Sequence, residues 1–202
     1  MKDIKVITIK DNEQFLRQKS KIVDLNDLDL DNNIKILEEY CKNHEVLAMA
    51  SVQLGIPKRL VYLKNTNLDL VNKYQNDSLT EEENNFNEKR ILINPVVTKK
   101  IGLTEYWEAC ASCLDNLGLV YRPYKMYVEY YDFFGKKHND IFEGFEATVL
   151  SHEIDHLDGI LHMDIAKELL YMSREERKKF RQKHQYNIID KTKCYEELIK
   201  KM

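Results

Sequence analysis

The chain has 202 residues, enough for one domain or one domain with a modest appendage. Its 31 basic and 34 acidic residues leave a formal net charge of −3, which argues against a dedicated, sequence-specific nucleic-acid binder and its basic face. No apolar run approaches the ~20 residues of a membrane span, and Met1–Val6 lacks the apolar centre of a signal peptide. A cytoplasmic protein without a membrane partner is therefore expected, with Cys41, Cys110, Cys113 and Cys194 reduced.

In chain order, the alternation of Ile4–Ile9 predicts a strand, and Phe15–Val23 a short amphipathic piece. Ile34–Lys42 reads as a helix, with Ile34, Ile36, Leu37 and Tyr40 apolar. Leu60–Leu63 and Ile91–Pro95 are short apolar runs suited to buried strands. Between them, residues 65–89 are polar, including Glu81–Asn85, and read as a surface insertion rather than a linker between domains. Met126–Asp132 and Lys137–Glu143 flank Phe133-Phe134-Gly135-Lys136, a hairpin signal. After Gly144, the spacing of Phe145, Val149, Leu150, Ile154 and Leu157 turns helical, with Gly159 as its stop. Ser173 to Glu176 resembles a capping box and opens a helical tail over about 173–202, whose basic run Arg174–Lys183 reads as a solvated face. One domain over 1–202 accommodates all of these.

The strongest chemical signal is His152-Glu153-Ile154-Asp155-His156. On a helix, residues four apart lie ~40° apart around the axis, so both imidazoles can share one ion while Glu153 reaches its water. The apolar spacing around the motif favours this over a chance surface pair of histidines. A third ligand is needed, and the spacing leaves two sources open. His156-Leu157-Asp158-Gly159-Ile160-Leu161-His162 completes HExxHxxGxxH, the metzincin protease pattern. Upstream, Cys110 and Cys113 offer thiolates, and both together with the two histidines would make a closed structural zinc site.

Three segments together resemble the peptide deformylase family, from about Ile4 to Lys183. Val46-Leu47-Ala48-Met49-Ala50-Ser51-Val52-Gln53 is similar to GxGxAAxQ, Glu108-Ala109-Cys110-Ala111-Ser112 to EGCLS, and His152–His156 is HExxH. Ile93-Asn94-Pro95 and Arg122 also stand in the family's order. The resemblance implies an α+β fold with mixed or antiparallel sheets around a central metal-binding helix. It implies metal-dependent hydrolysis of the N-formyl group of N-formylmethionyl peptides or nascent chains, including chains at the ribosome, by a monomer. Cys110, His152 and His156 become the metal ligands, and Glu153 the general base. The Gln53 amide and the Ala111 N–H become oxyanion donors, and Val46, Ala48 and Arg122 the substrate-side residues. The ion expected is a single divalent one, Fe(II) physiologically, with Zn, Ni or Co also suited to a thiolate and two imidazoles. Cys113 is then a buried thiol, and Glu108 and Arg122 either pair beneath the second motif or stand apart at the surface. The metzincin reading weakens, because the chain after Met172 is charged and lacks a methionine turn.

The sequence departs from the family at Val46, Ala48 and Ala109, where glycine is usual, and at Ala111, where leucine is usual. Side chains at Val46 and Ala48 would narrow the substrate cleft or forbid a backbone angle open only to glycine. A deformylase-like protein that binds chain N-termini with weak or no turnover is the competing class.

Overall fold

The structure, a computed structural model, describes residues 4–64 and 89–202. The expected polar insertion, except for Lys89, lies outside the described residues. Helices α1 (Ile9–Leu16) and α2 (Leu30–Asn43) precede strands β1 (Ala48–Ala50), β2 (Leu60–Lys64) and the long β3 (Lys89–Ala109). There follow β4 (Asn116–Arg122), β5 (Lys125–Tyr131), β6 (Lys137–Glu143), helix α3 (Phe145–Leu157), the short α4 (His162–Ile165) and β7 (Glu168–Tyr171). Helix α5 (Arg174–Lys183), β8 (Asn187–Cys194) and α6 (Tyr195–Ile199) complete the chain.

The strands form an antiparallel sheet in the order β1-β2-β3-β4-β7, with β5 and β8 also pairing β3, and β6 pairing β5. This is the expected α+β architecture. The apolar runs in β2 and β3 do not alternate because both sheet faces are covered. Val61, Leu63 and Leu92 join the core around α3, with Leu150, Ile154 and Leu157. Their neighbours Leu60, Tyr62, Ile91 and Ile93 pack on the other side against Ile34, Leu37 and Cys41 of α2. A strand buried on two faces has no solvent side to make polar. The α2 residues Leu30, Ile34, Leu37 and Cys41 are buried at helical spacing, close to the predicted stripe.

Three expectations are corrected. Ile4–Ile9 forms no strand: the Thr8 side chain accepts from Asp11 N at 3.3 Å while Asp11 accepts from Thr8 N at 2.9 Å, and this capping box starts α1 at Ile9. Strand β3 extends far beyond Ile91–Pro95, because register shifts between Ile93 and Val96 and between Val97 and Lys99 carry it past Pro95. The tail is helical only in part, since β8 pairs with β3 at Leu103, Thr104 and Glu105. Gly102 permits that approach: a Cβ there would lie 2.5 Å from the Asp190 carbonyl oxygen.

Helix α3 ends as predicted before Gly159, whose φ of +74° suits glycine. A Cβ at Gly159 would also stand 2.2 Å from the Arg17 carbonyl oxygen, so the turn packs directly on the end of α1. That contact holds the end of α3 against the N-terminal segment.

Candidate active site

Cys110 follows the last residue of β3 with extended backbone (φ −133°, ψ 140°), after which Ala111–Cys113 form a single 3-10 turn. Pairing of Trp107 with Leu119 and of Ala109 with Leu117 fixes that strand end. Helix α3 brings His152 and His156 to the same point, and its buried Ala147, Leu150, Ile154 and Leu157 hold it against the sheet. One donor atom from each of Cys110, His152 and His156 lies within 4.8 Å of the others. The Cys110 sulfur is 3.2 Å from His156 Nε2. This donor group, the one found among the described residues, excludes His162 and Cys113.

His152 Nδ1 donates to Glu108 Oε2 at 2.8 Å, which fixes the tautomer and leaves the other ring nitrogen for an ion. Glu108 is itself gripped by Arg122, through Nε to Oε1 at 2.8 Å and Nη2 to Oε2 at 2.9 Å. Arg122 also donates to Asp155 on α3. Burial alone would raise the Glu108 pKa, but Arg122 and His152 hold it well below the usual carboxylate range. A fixed anion therefore stands behind His152. The donor set, its carboxylate-supported histidine and its burial all fit a single divalent ion.

The Glu153 carboxyl lines the same cleft as Cys110 and His152, and its Oε2 accepts from Ala50 N at 2.8 Å. Burial pushes its pKa up to about 7, despite the nearby His152. Gln53 lies beside it, with Oε1 accepting from the same Ala50 N–H at 3.1 Å. Its Nε2 donates to Cys110 Sγ at 3.3 Å and Ser112 Oγ at 3.1 Å. Since Ala50 can only donate, the amide orientation follows from its partners. The site opens into a cleft of about 750 Å³ lined by Val46, Ala48, Ala109, Ala111, Phe145 and Val149, among others.

The polypeptide deformylase family profile matches residues 4–170. The chain belongs to the polypeptide deformylase family. It is 34% identical to a peptide deformylase of Rhizobium meliloti over 158 residues, covering 78% of this chain and 82% of that protein. To the peptide deformylase of Pelagibacter ubique it is 33% identical over 124 residues, and it spans only 63% of that relative's length. A peptide deformylase from Synechococcus elongatus, solved in complex with actinonin, superposes with a TM-score of 0.68 at 25% identity, covering 91% of this chain and 89% of that one.

Within a deformylase scaffold, one predicted site residue falls elsewhere than expected. Arg122 is not on the substrate side: its side chain is 5% exposed, and its guanidinium is occupied by Glu108 and Asp155 behind the histidines. The two acidic partners arrive from β3 and α3, a convergence that no local spacing announces. Val46, Ala48 and Ala109 do line the cleft, yet none has positive φ, a state found among described non-glycine residues at Glu45, Asn94 and Leu114. Replacing glycine there costs cleft width and not backbone strain. Cys113 is fully buried with Leu16 and Leu161. His162 is buried over Gly118 with its ring centroid 5.8 Å from that of His152, and burial lowers its pKa, keeping it neutral. The basic run of α5, read as a solvated face, has no buried residue, and its Arg174, Arg177, Lys178 and Arg181 also line the cleft. Helical spacing puts those four on one side, but nothing local says what that side meets.

Proposed function

We propose that the chain hydrolyses the formyl amide of N-formylmethionyl peptides, using one divalent metal ion held by Cys110, His152 and His156. The observation that carries this reading is the convergence of the three donors within 4.8 Å of one another, with Cys110 and His152 lining the same cleft as the Glu153 carboxyl. Bound there, a divalent ion supplies Lewis acidity, making water a nucleophile near neutral pH. Glu153 takes the proton of the attacking water and returns it to the departing amine, so that formate and a free N-terminus result. Gln53 Nε2 and the Ala111 N–H donate to the negative charge that grows on the formyl oxygen. Gln53 is held ready by Ala50 and Ser112, and Ala111 is exposed at the cleft. Strand β1, an end strand of the sheet, offers the peptide a backbone edge along which to lie.

A thiolate with two imidazoles suits Fe(II), Zn(II), Ni(II) or Co(II). We assign Fe(II) as the physiological ion on family resemblance. In this reading the protein acts as a cytoplasmic monomer on nascent chains at the ribosome. No helix among the described residues is long and apolar enough to cross a membrane.

The test is formate release from a formyl-Met tripeptide by anaerobically Fe(II)-loaded protein, with metal content measured on the same sample. Glu153→Ala is expected to keep the metal and lose at least about a hundredfold in rate. Cys110→Ala is expected to lose the metal, and Cys113→Ala to keep it. Wild-type protein that holds metal yet releases no formate would leave recognition of chain N-termini as the function, a reading that the narrowed cleft at Val46 and Ala48 favours.

A further inference from the structure

Arg174, Arg177, Lys178 and Arg181 stand at relative positions 0, 3, 4 and 7 of α5, one face of a helix, and all four line the cleft. Lys179, exposed, lies outside that lining. The helix is seated there by Phe180, whose ring meets that of Trp107 edge-on at 5.0 Å. Arg181 Nε donates to the Trp107 carbonyl at 3.1 Å, with its guanidinium 5.4 Å from the centre of the Tyr106 ring. Arg177 donates to the carbonyl of Leu114. Both guanidiniums are thus anchored by neutral backbone oxygens. A guanidinium has five N–H donors, so such an anchor leaves charge and donors for a ligand.

Glu45, Glu108, Asp115, Glu153 and Glu175 share the lining, but Glu108 is taken up by Arg122 and His152 and Glu153 by Ala50, while Glu175, on α5 itself, stands at relative position 1, off the face that the four cations share. At Arg177, burial together with the charges of Arg181 and Arg174 outweighs Asp115 and lowers the pKa, so an anion there relieves crowding of like charge. In the deformylase reading, the part of the cleft lined by Glu153, Cys110 and His152 takes the formyl group. An extended peptide advances ~3.3 Å per residue, so the residues after the first must leave along the cleft walls.

We propose that this face of α5 is a carboxylate-recognition subsite that selects peptides with an acidic side chain shortly after the first residue. The inference rests on the deformylase reading for what occupies the cleft, and adds which peptides are preferred. A free C-terminal carboxylate presents the same chemistry in a short peptide, and a nascent chain does not carry one.

The test compares formyl-Met-Ala-Glu, formyl-Met-Ala-Gln and formyl-Met-Ala-Lys as C-terminal amides on the metal-loaded full-length protein. Formyl-Met-Ala-Ala as acid and as amide separates a chain-terminal carboxylate from a side chain. Calorimetric binding of the corresponding deformylated peptides reads recognition without turnover. The Glu peptide is expected to exceed the Gln peptide about fivefold in kcat/KM and in affinity, mainly through KM, with the Lys peptide lower still. The ratio should shrink as salt is raised. It should approach one in an Arg174→Gln/Arg181→Gln double variant, fall partway in Arg174→Gln alone, and persist in Lys179→Gln. Because the readout is a ratio within each variant, a general loss of activity does not imitate it. Formate release with equal ratios for all three peptides would overturn the subsite and leave the deformylase reading standing. Preference in binding without formate release would uphold the subsite and overturn that reading. Discrimination confined to the acid and amide forms of the Ala peptide, or unchanged in the double variant, would overturn side-chain selection by α5.

Discussion

At the scale of single residues, Glu108 links the candidate metal donors to the rest of the fold. It accepts from His152 on one side and two bonds from Arg122 on the other, with 4% of its surface exposed. Glu108→Gln would leave the Arg122 charge in the interior with only Asp155, so a loss of about 3 kcal/mol in urea unfolding is expected. Metal affinity should also fall, by about 10- to 100-fold, because His152 loses its charged acceptor. The sign with pH follows from the lowered Glu108 pKa. The stability that the ionised carboxylate contributes is complete above the ordinary glutamate value of about 4.3, and is lost as pH falls from there through the lowered folded value. The gap between wild type and variant should therefore be flat from neutrality down to that value and close below it. From sequence, Glu108 and Arg122 were as consistent with two solvated charges as with a pair, since their meeting depends on β3 pairing with β4.

At the scale of elements, α3 was legible and β3 was not. The apolar spacing of α3 reports its own burial, and its limits at Gly144 and Gly159 are marked by glycines with φ of +63° and +74°. Strand β3 instead contains Pro95 and Gly102, residues that locally signal its end, and it continues only because its partners tolerate the shifts in register. Helix α5 was legible as a helix and illegible as a cleft wall. Its seating depends on Phe180 against Trp107, the protein's one tryptophan. Phe180→Ala is expected to expose Trp107, seen as a red-shifted emission and stronger quenching by iodide. Stability should fall by about 1–3 kcal/mol, since Phe180 is only partly buried. Unchanged Trp107 fluorescence would mean that α5 is held by other contacts.

At the scale of the whole molecule, the donor group joins the end of β3 to α3, two elements that meet only in the folded chain. An ion bound there favours the folded state by its affinity. Removal by a chelator is expected to lower the thermal midpoint, and stoichiometric Zn(II) to restore it. A midpoint indifferent to chelation would count against a bound ion at this site. The sequence alone determined the helix of His152, Glu153 and His156 and the identity of the candidate donors. Helical periodicity is local, and the three motifs survive in order despite lost glycines. The family resemblance already favoured Cys110 over His162 as the third donor, and the tertiary structure brings its sulfur to the two histidines; only the tertiary structure decided that Arg122 sits behind the site and that α5 walls the cleft. Each of those outcomes depends on which strands pair and which faces pack, and such contacts between distant segments leave no periodic trace in the segments themselves.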